Sequence, residues 1–379
     1  MHLALVVEDP ASTKGPDTQA NNLLKSLDTC TDTVDEITVI CKDGASPDYR
    51  SSNISTADVL DSHQPFASLK RVFECCRTVD LVHVFAANWR IVLAIMGLSR
   101  TPVLLGTSTT FRALPHRIAV RLYRPNAVFA SVEPFETAIS EMGYRRDRTF
   151  FIPNGIDTDI FSPPGQKKRE EIRRILGDRH ELSLAENIII WVNHLNDHKR
   201  PLLALQAFQQ FRQQRDDVSL LMIGDGPQRA AVEEMAENIS DAHCLGFIDH
   251  DAVHDYYRVA DLNLVTSRSE GISNVVYEGM ACGLPALTAT AFDQVGTGEH
   301  GRYLSPSASK EMITSGMAEI LQRREELGRQ ARDHVVRHHG LETFADRYEQ
   351  LYQWCLGRGS KPKFDETWKA DTINRIQRS

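Results

Sequence analysis

With 379 residues, 41% of them hydrophobic and 25% charged, the chain has the composition of a globular protein and the length of two cores, because single cores rarely grow beyond about 250–300 residues. A net charge of −8 argues against general nucleic-acid binding and leaves room only for a local anion site. Seven cysteines without a C-x-x-C pair describe neither a disulfide framework nor a zinc site, and no apolar run nears the ~20 residues of a membrane span.

The opening residues MHLALVVEDP turn acidic too soon for a signal peptide and read as a first buried strand, LALVVE (3–8), in a protein expected in the cytosol. Short β-branched runs follow at EITVIC (36–41), DLVHVFA (80–86), TPVLLGT (101–107), AVFASV (127–132) and TFFIP (149–153). Helical patterns fill 18–28, 64–78, 89–98, 115–124 and 134–142, whereas 43–63 reads as irregular. The segment SPPGQKKR (162–169), with paired prolines, a glycine and a basic run, has the composition of an exposed connection and sets a boundary near 160.

The second half repeats the scheme with NIIIWV (187–192), VSLLMIG (218–224), AHCLGF (242–247), DLNLVTS (261–267), LPALTA (284–289) and GRYLSP (301–306). Leu205, Phe208 and Phe211 recur at helical spacing between the first two of these strands and predict core packing. A last amphipathic helix is expected over 341–356, followed by a loose tail over 357–379. Alternating strands and helices predict an α/β protein of two doubly wound, Rossmann-like lobes, 1–160 and 161–340. Parallel strands open their carboxyl ends toward ligands, so the strand-to-helix turns of two such lobes would line a cleft.

The most informative stretch is SRSEGISNVVYEGMACGLP (267–285), which sets Glu270 and Glu278 eight positions apart. The helix after the 261–267 strand is expected to start at Ser273 or Asn274 and to end before Gly283, leaving Glu270 in the turn. Free backbone N–H groups of Gly271, Ile272, Ser273 and Asn274 at that helix start favour a phosphate or a sugar oxygen, and Gly271 permits close approach. Glu278 falls roughly 7 Å further along the axis at ~1.5 Å per residue. A carboxylate suits a vicinal diol, so Glu278 could grip a ribose and Glu270 a hexose. Two surface glutamates at this separation also arise by chance, and the spacing alone does not choose.

Other features carry competing readings. GDGPQR (224–229) lacks the third glycine of a nucleotide loop and reads as a tight turn. His83, inside DLVHVFA, is as much a core or strand-end histidine as a catalytic one. Arg112, His116, Arg117, Arg121 and Arg124 decorate 112–124; they form either a solvated basic face or a contact with anionic lipid or a phosphate-bearing acceptor.

The form S-x-x-E-G through E-x-M-A-x-G-x-P at 267–285 resembles the retaining glycosyltransferases of family 4, which have the GT-B fold. Further landmarks recur in order: FIPNGIDTDIF (151–161), WVNHLNDHK (191–199), LMIGDGP (221–227), AHCLGFID (242–249) and LETFADRYEQLY (341–352). The resemblance covers about 125–355 well and the first 125 residues mainly by strand order. It implies transfer of a hexose-type sugar from a nucleoside-diphosphate sugar to a hydroxyl of a glycan, a lipid-linked or a small-molecule acceptor, with retention of anomeric configuration.

By that resemblance Glu270 meets sugar hydroxyls, and Gly271, Ile272 and Ser273 offer N–H groups. Glu278 then holds the ribose, Lys199 balances the departing diphosphate, and Leu245, Gly246 and Phe247 border the nucleobase. The last helix crosses back to the first lobe. The D-x-D of Asp157 and Asp159 falls in a family turn and reads as structural, so no metal and no other cofactor is expected.

The chain also departs from the pattern. His194 stands where the family usually has arginine, and Asn193 replaces glycine. Of a first-lobe glycine pair, DPASTKGPDTQ keeps only Gly15, and Thr107 and Ser108 stand where many members have a histidine. These departures keep open a non-catalytic nucleotide-sugar-binding module, and a nucleotide-sugar epimerase of the same fold is the other alternative. A peripheral position on the cytoplasmic membrane face through Arg112, Arg117, Arg121 and Arg124 completes the expectations.

Overall fold

Near-continuous apolar runs flanked by helices form two separate parallel sheets. The structure, a computed structural model, describes residues 1–7, 15–42, 45, 47–60, 65–86, 92, 95, 100–107, 127–130, 146–269, 273–290 and 299–364. Contacts divide the described chain into two units, one of Met1–Gly155 together with 340–364, the other of Ile156–His339.

Among the described residues the first unit holds seven strands: β1 (His2–Val7), β2 (Glu36–Lys42), β3 (Ile54–Leu60), β4 (Leu81–Ala86), β5 (Val103–Thr107), β6 (Ala127–Ala130) and β7 (Thr149–Phe151). They pair in parallel in the order β3-β2-β1-β4-β5-β6-β7. Helix α1 (Gly15–Cys30) buries Ala20, Leu23, Leu24 and Leu27, a stripe at helical spacing against the sheet, and α2 (Pro65–Cys76) follows β3. The strand β3 lies inside 43–63, which the sequence reads as irregular. It has a single neighbour in the sheet, and its exposed Ser55 and Thr56 supply no apolar run to signal it. Of 89–98 only Val92 and Ile95 are described, both helical and buried, while 115–124 and 134–142 lie outside the described residues.

The second unit holds β8 (Asn187–Val192), β9 (Val218–Ile223), β10 (Ala242–Gly246), β11 (Leu262–Val265), β12 (Ala286–Ala289) and β13 (Gly301–Leu304). Their order is β10-β9-β8-β11-β12-β13, again all parallel. Its helices are α3 (Gln166–His180), α4 (Pro201–Arg212), α5 (Arg229–Glu237), α6 (His250–Val259), α7 (Asn274–Ala281), α8 (Lys310–Gln322) and α9 (Arg324–His339). Alternate residues of β8 serve the two faces. Ile189 and Trp191 meet Leu205, Phe208 and Phe211 of α4, whereas Ile188 and Ile190 join Tyr256, Tyr257, Val276 and Tyr277 on the other side. The stripe read as core in α4 is therefore core.

The segment 162–169 is largely exposed, as its composition suggests, but it is not where the two units divide. The chain passes from one unit to the other between Gly155 and Ile156, and 166–169 form the first turn of α3. There Arg169 bonds the Val259 carbonyl and the buried Asp261 carboxylate, each at 2.8 Å. Lys167 and Lys168 stay exposed, whereas Arg169 is drawn to acceptors distant in sequence.

The chain returns to the first unit in α10 (Leu341–Cys355), which buries Phe344, Tyr348, Leu351 and Tyr352. A Cβ on Gly155 would sit 2.4 Å from the Phe344 ring, so the glycine of the FIPNGIDTDIF landmark is what lets α10 close on the strand end. His83 of β4 is fully buried beneath the same helix, its Nδ1 2.8 Å from the Tyr352 hydroxyl, and burial lowers its pKa to about 3. It is a core histidine. The tail is ordered further than expected, with Lys361 over the Phe150 ring and Phe364 edge-on to it; 365–379 lie outside the described residues.

Strand order reverses between β1 and β4 in the first sheet and between β8 and β11 in the second. At such a switch point the loops leaving adjacent strands run to opposite faces of the sheet, which opens a crevice at the carboxyl ends.

Candidate active site

In the second unit the switch point is flanked by the loop 193–200 after β8 and the segment 266–269 after β11. A relay of hydrogen bonds ties the two together. The buried Trp191 indole N–H donates to the Thr266 hydroxyl at 3.0 Å, and that hydroxyl donates to the Lys199 carbonyl at 2.9 Å. The Arg268 N–H donates to the His198 carbonyl at 2.8 Å, His198 Nε2 donates to the Ser269 carbonyl at 2.8 Å, and the Arg268 guanidinium lies 3.2 Å from Asp197.

Arg200 adds a wider clamp. It adopts the left-handed conformation at φ 52 just before α4, and its guanidinium donates to the carbonyls of Ala289 at 2.6 Å, Ser267 at 3.3 Å, Thr266 and Pro306. One side chain thus joins the segments that leave β11, β12 and β13 to the loop carrying Lys199.

The GDGP turn after β9 braces the same loop from its other side. A Cβ on Gly224, at φ 146, would lie 1.8 Å from the Asn193 carbonyl oxygen, and one on Gly226, at φ 156, would lie 2.5 Å from that of Leu195 and 2.9 Å from the His194 ring. The Gly224 N–H donates to the Gly246 carbonyl at 2.8 Å and Leu195 N–H to Asp225 at 2.9 Å. These glycines make a tight packing turn. Beyond β10, Gly246 at φ 72 turns the chain so that Phe247 is 58% exposed, while Leu245 borders the apolar cluster that includes Val276 and Tyr277.

Helix α7 starts at the buried N-cap Ser273 and lies close on β11, since a Cβ on Gly279 would meet the Asn263 amide at 2.6 Å. Asn263 Nδ2 donates to the Val275 carbonyl at 2.8 Å. Four residues along the helix from Asn274, Glu278 is 5% exposed, and His250 at the start of α6 places Nε2 3.0 Å from Glu278 Oε1. That hydrogen bond raises the His250 pKa, against the opposing effect of burial. The Tyr257 hydroxyl is fully buried and without a hydrogen-bond partner among the described residues; burial, then the Glu278 charge, raises its pKa well above the usual value.

The structure therefore brings His194, Lys199, Leu245, Gly246, Phe247, Ser273, Asn274 and Glu278 to the carboxyl edge of one sheet. Gly15 is the first residue of α1 in the other unit, and Thr107 ends β5. Glu270, Gly271, Ile272, Ser108, Arg112, His116, Arg117, Arg121 and Arg124 lie outside the described residues. Asp157 is buried, and its Oδ1 accepts the N–H groups of Asp159 and Ile160 at 3.2 Å each, as a turn-forming carboxylate does. Among the described residues no group of three or more His, Cys, Asp or Glu could hold a metal, and no helix is long and apolar enough to cross a membrane.

Four contributors escaped the sequence reading: His250, Arg200, Asn263 and Phe161, whose ring centroid lies 5.7 Å from that of His250. His250 had one visible signal, its place directly after the N-cap Asp249 at the end of AHCLGFID. Its partner is 28 positions away.

Residues 172–334 match the family of glycosyl transferases group 1. The chain is 27% identical over 222 residues to the lipopolysaccharide 1,2-N-acetylglucosaminetransferase of Salmonella typhimurium, covering 54% of this chain and 56% of that protein. It is 29% identical over 174 residues to the D-inositol 3-phosphate glycosyltransferase of Xylanimonas cellulosilytica, covering 43% and 40%. The match spans about half the length of these curated relatives. Among solved structures, Anabaena Alr3699/HepE in complex with UDP-glucose superposes with a TM-score of 0.71 at 17% identity over 93% of this chain and 100% of that one, a likeness of fold. The family match thus falls on the β8–β13 sheet, and the two parallel-sheet units carry the GT-B fold that the solved structure shares.

Proposed function

We propose that the protein transfers a hexose-type sugar from a nucleoside-diphosphate sugar to a hydroxyl of a glycan, lipid-linked or small-molecule acceptor, with retention at the anomeric carbon and without a metal ion. The observation that carries this reading is the buried Glu278 on α7 beside a switch point where the Lys199 loop is bonded to the segment leading into Glu270. The relatives bear glycosyltransferase names, and a structural neighbour was solved with UDP-glucose, which favours a nucleotide-sugar donor.

In this reading Glu278 accepts the ribose diol, and the Leu245–Phe247 turn borders the base. Glu270 and the N–H groups of Gly271, Ile272, Ser273 and Asn274 orient the sugar. Lys199 and His194 meet the diphosphate, and Gly15 is a further donor-binding residue. The acceptor oxygen bonds to the anomeric carbon on the face from which the diphosphate departs. As the carbon–oxygen bond to phosphate breaks, a phosphate oxygen takes the acceptor's proton, so no protein nucleophile is needed. Preorganised N–H groups and the ammonium stabilise charge that grows on the leaving group, and such terms act most strongly when fixed in advance. The turn-bound Asp157 has its carboxylate committed to backbone N–H groups, which favours a metal-free site.

A second reading is a nucleotide-sugar-binding module without turnover, favoured by His194 in place of an arginine and Thr107 at the end of β5 in place of a histidine. Epimerisation of the donor is the third. We place the protein in the cytoplasm, with Arg112, Arg117, Arg121 and Arg124 as a contact with the membrane face.

The test is a panel of nucleotide sugars screened for a rise in thermal midpoint, since a ligand that binds the folded state stabilises it by mass action. The stabilising donor is then incubated with hydroxyl acceptors and the product's anomeric configuration read by NMR. Transfer with retention is expected; binding without transfer supports the module, and a changed donor without acceptor supports the epimerase. A silent panel, or an inverted product, overturns the proposal.

A further inference from the structure

His250 and Glu278 form a pair whose geometry asks for a role. Glu278 is almost completely buried, and a carboxylate in that position costs free energy unless it is hydrogen-bonded. His250 supplies the bond, with Nε2 3.0 Å from Oε1, from a side chain that is itself 36% exposed. The imidazole is held on its own account. It sits at the first position of α6 after Asp249, and its ring packs against the buried Phe161 at a centroid distance of 5.7 Å. Phe161 also meets His254 and Tyr257 of α6, so the last residue of the FIPNGIDTDIF landmark fixes the helix end that aims His250. The contact leaves Oε2 of Glu278 uncommitted to His250 and keeps one lone pair of Oε1 available, the arrangement a vicinal diol needs for two parallel hydrogen bonds.

We propose that His250 is a positioning residue for ribose recognition: its Nε2–H holds the buried Glu278 carboxylate in the orientation that accepts both hydroxyls of a nucleoside diphosphate's 2′,3′-diol. The inference rests on the proposed nucleotide-sugar reading and extends it to the sugar of the nucleotide. Its signature is discrimination between ribo- and deoxyribonucleotides. Without His250 the carboxylate is free to rotate in its buried place, and the two-point grip is lost while the base and diphosphate contacts remain.

Calorimetric titration with UDP, GDP and ADP, each paired with its 2′-deoxy counterpart, tests this. The wild-type protein is expected to bind one ribonucleotide about tenfold tighter than the deoxy form, the worth of one hydrogen bond to a charged group. In His250→Ala that ratio should fall below about twofold. In His250→Gln, whose amide nitrogen reaches the place of Nε2, the ratio should return. His250→Asn, whose amide reaches only the place of Nδ1, should behave like the alanine variant; it provides the same comparison if His250→Ala does not fold, with thermal midpoints as the check. An unchanged ratio in His250→Ala and His250→Asn overturns the role of His250 and leaves the proposed function standing. A wild-type protein that binds ribo- and deoxyribonucleotides equally also overturns it, and one that binds no nucleotide overturns the proposed function as well.

Discussion

The Thr266 hydroxyl donates to the carbonyl of Lys199 at 2.9 Å while accepting from the Trp191 indole at 3.0 Å. A buried core residue thereby sets the backbone of the candidate cation. Thr266→Val keeps the shape and removes both bonds, leaving the Trp191 N–H buried and unpaired. We expect a loss of about 1–3 kcal/mol in chemical denaturation. We also expect a fall in turnover that exceeds any change in donor KM, because Lys199 would lose its placement and not its charge. A variant with wild-type stability and turnover would show that the relay has no consequence.

Lys199 and Glu278 should separate kinetically. An interaction made only as charge develops lowers kcat, whereas a grip kept from ground state to transition state lowers affinity. Lys199→Ala is expected to reduce kcat by roughly 10²–10³-fold, comparable to deleting one oxyanion donor elsewhere. Glu278→Ala should mainly raise the donor KM. Steady-state kinetics with the donor found by thermal screening reads both, and wild-type constants in the two variants would contradict these assignments.

Gly224→Ala should be among the most damaging single-methyl changes in the protein. Its φ of 146 disfavours any side chain, and the added carbon would stand 1.8 Å from the Asn193 carbonyl. Backbone must move in the loop that carries His194 and Lys199, at a cost on the order of 3 kcal/mol or more. Gly165→Ala is the control, since its Cβ meets nothing within 4 Å and its φ is −65. Denaturation midpoints that shift equally in both would refute the steric account.

His334 gives the second unit an acid sensitivity. Burial first, then the neighbouring His300, His338 and Arg337, lowers its pKa from about 6.5 to about 3. The unfolded chain therefore takes up the proton first, so this contribution to stability is complete above pH ~6.5 and is lost as pH falls toward 3. The slope is at most about 1.4 kcal/mol per pH unit for one histidine. Unfolding free energies at pH 7.5, 6 and 5 should decline, and His334→Phe should flatten the decline. An identical slope in the variant would remove His334 as its source.

The strand-helix alternation, the central strands and the helix start at Ser273–Asn274 were legible in the sequence, because parallel strands buried on both faces write continuous apolar runs and helix ends write caps. Strand β3 was not, since a polar edge strand has no such run. By residue type and resemblance the sequence also proposed roles for Glu278 and Lys199, which the kinetics above are to test. It was silent on Arg200, whose acceptors lie 66 to 106 positions away, on the docking of Arg169 to Asp261, and on His250 beside Glu278. Local pattern is set by neighbours along the chain and can be read from it. Pairing between loops is set by strand order, and only the folded sheet, with β8 beside β11, decides which loops share a crevice.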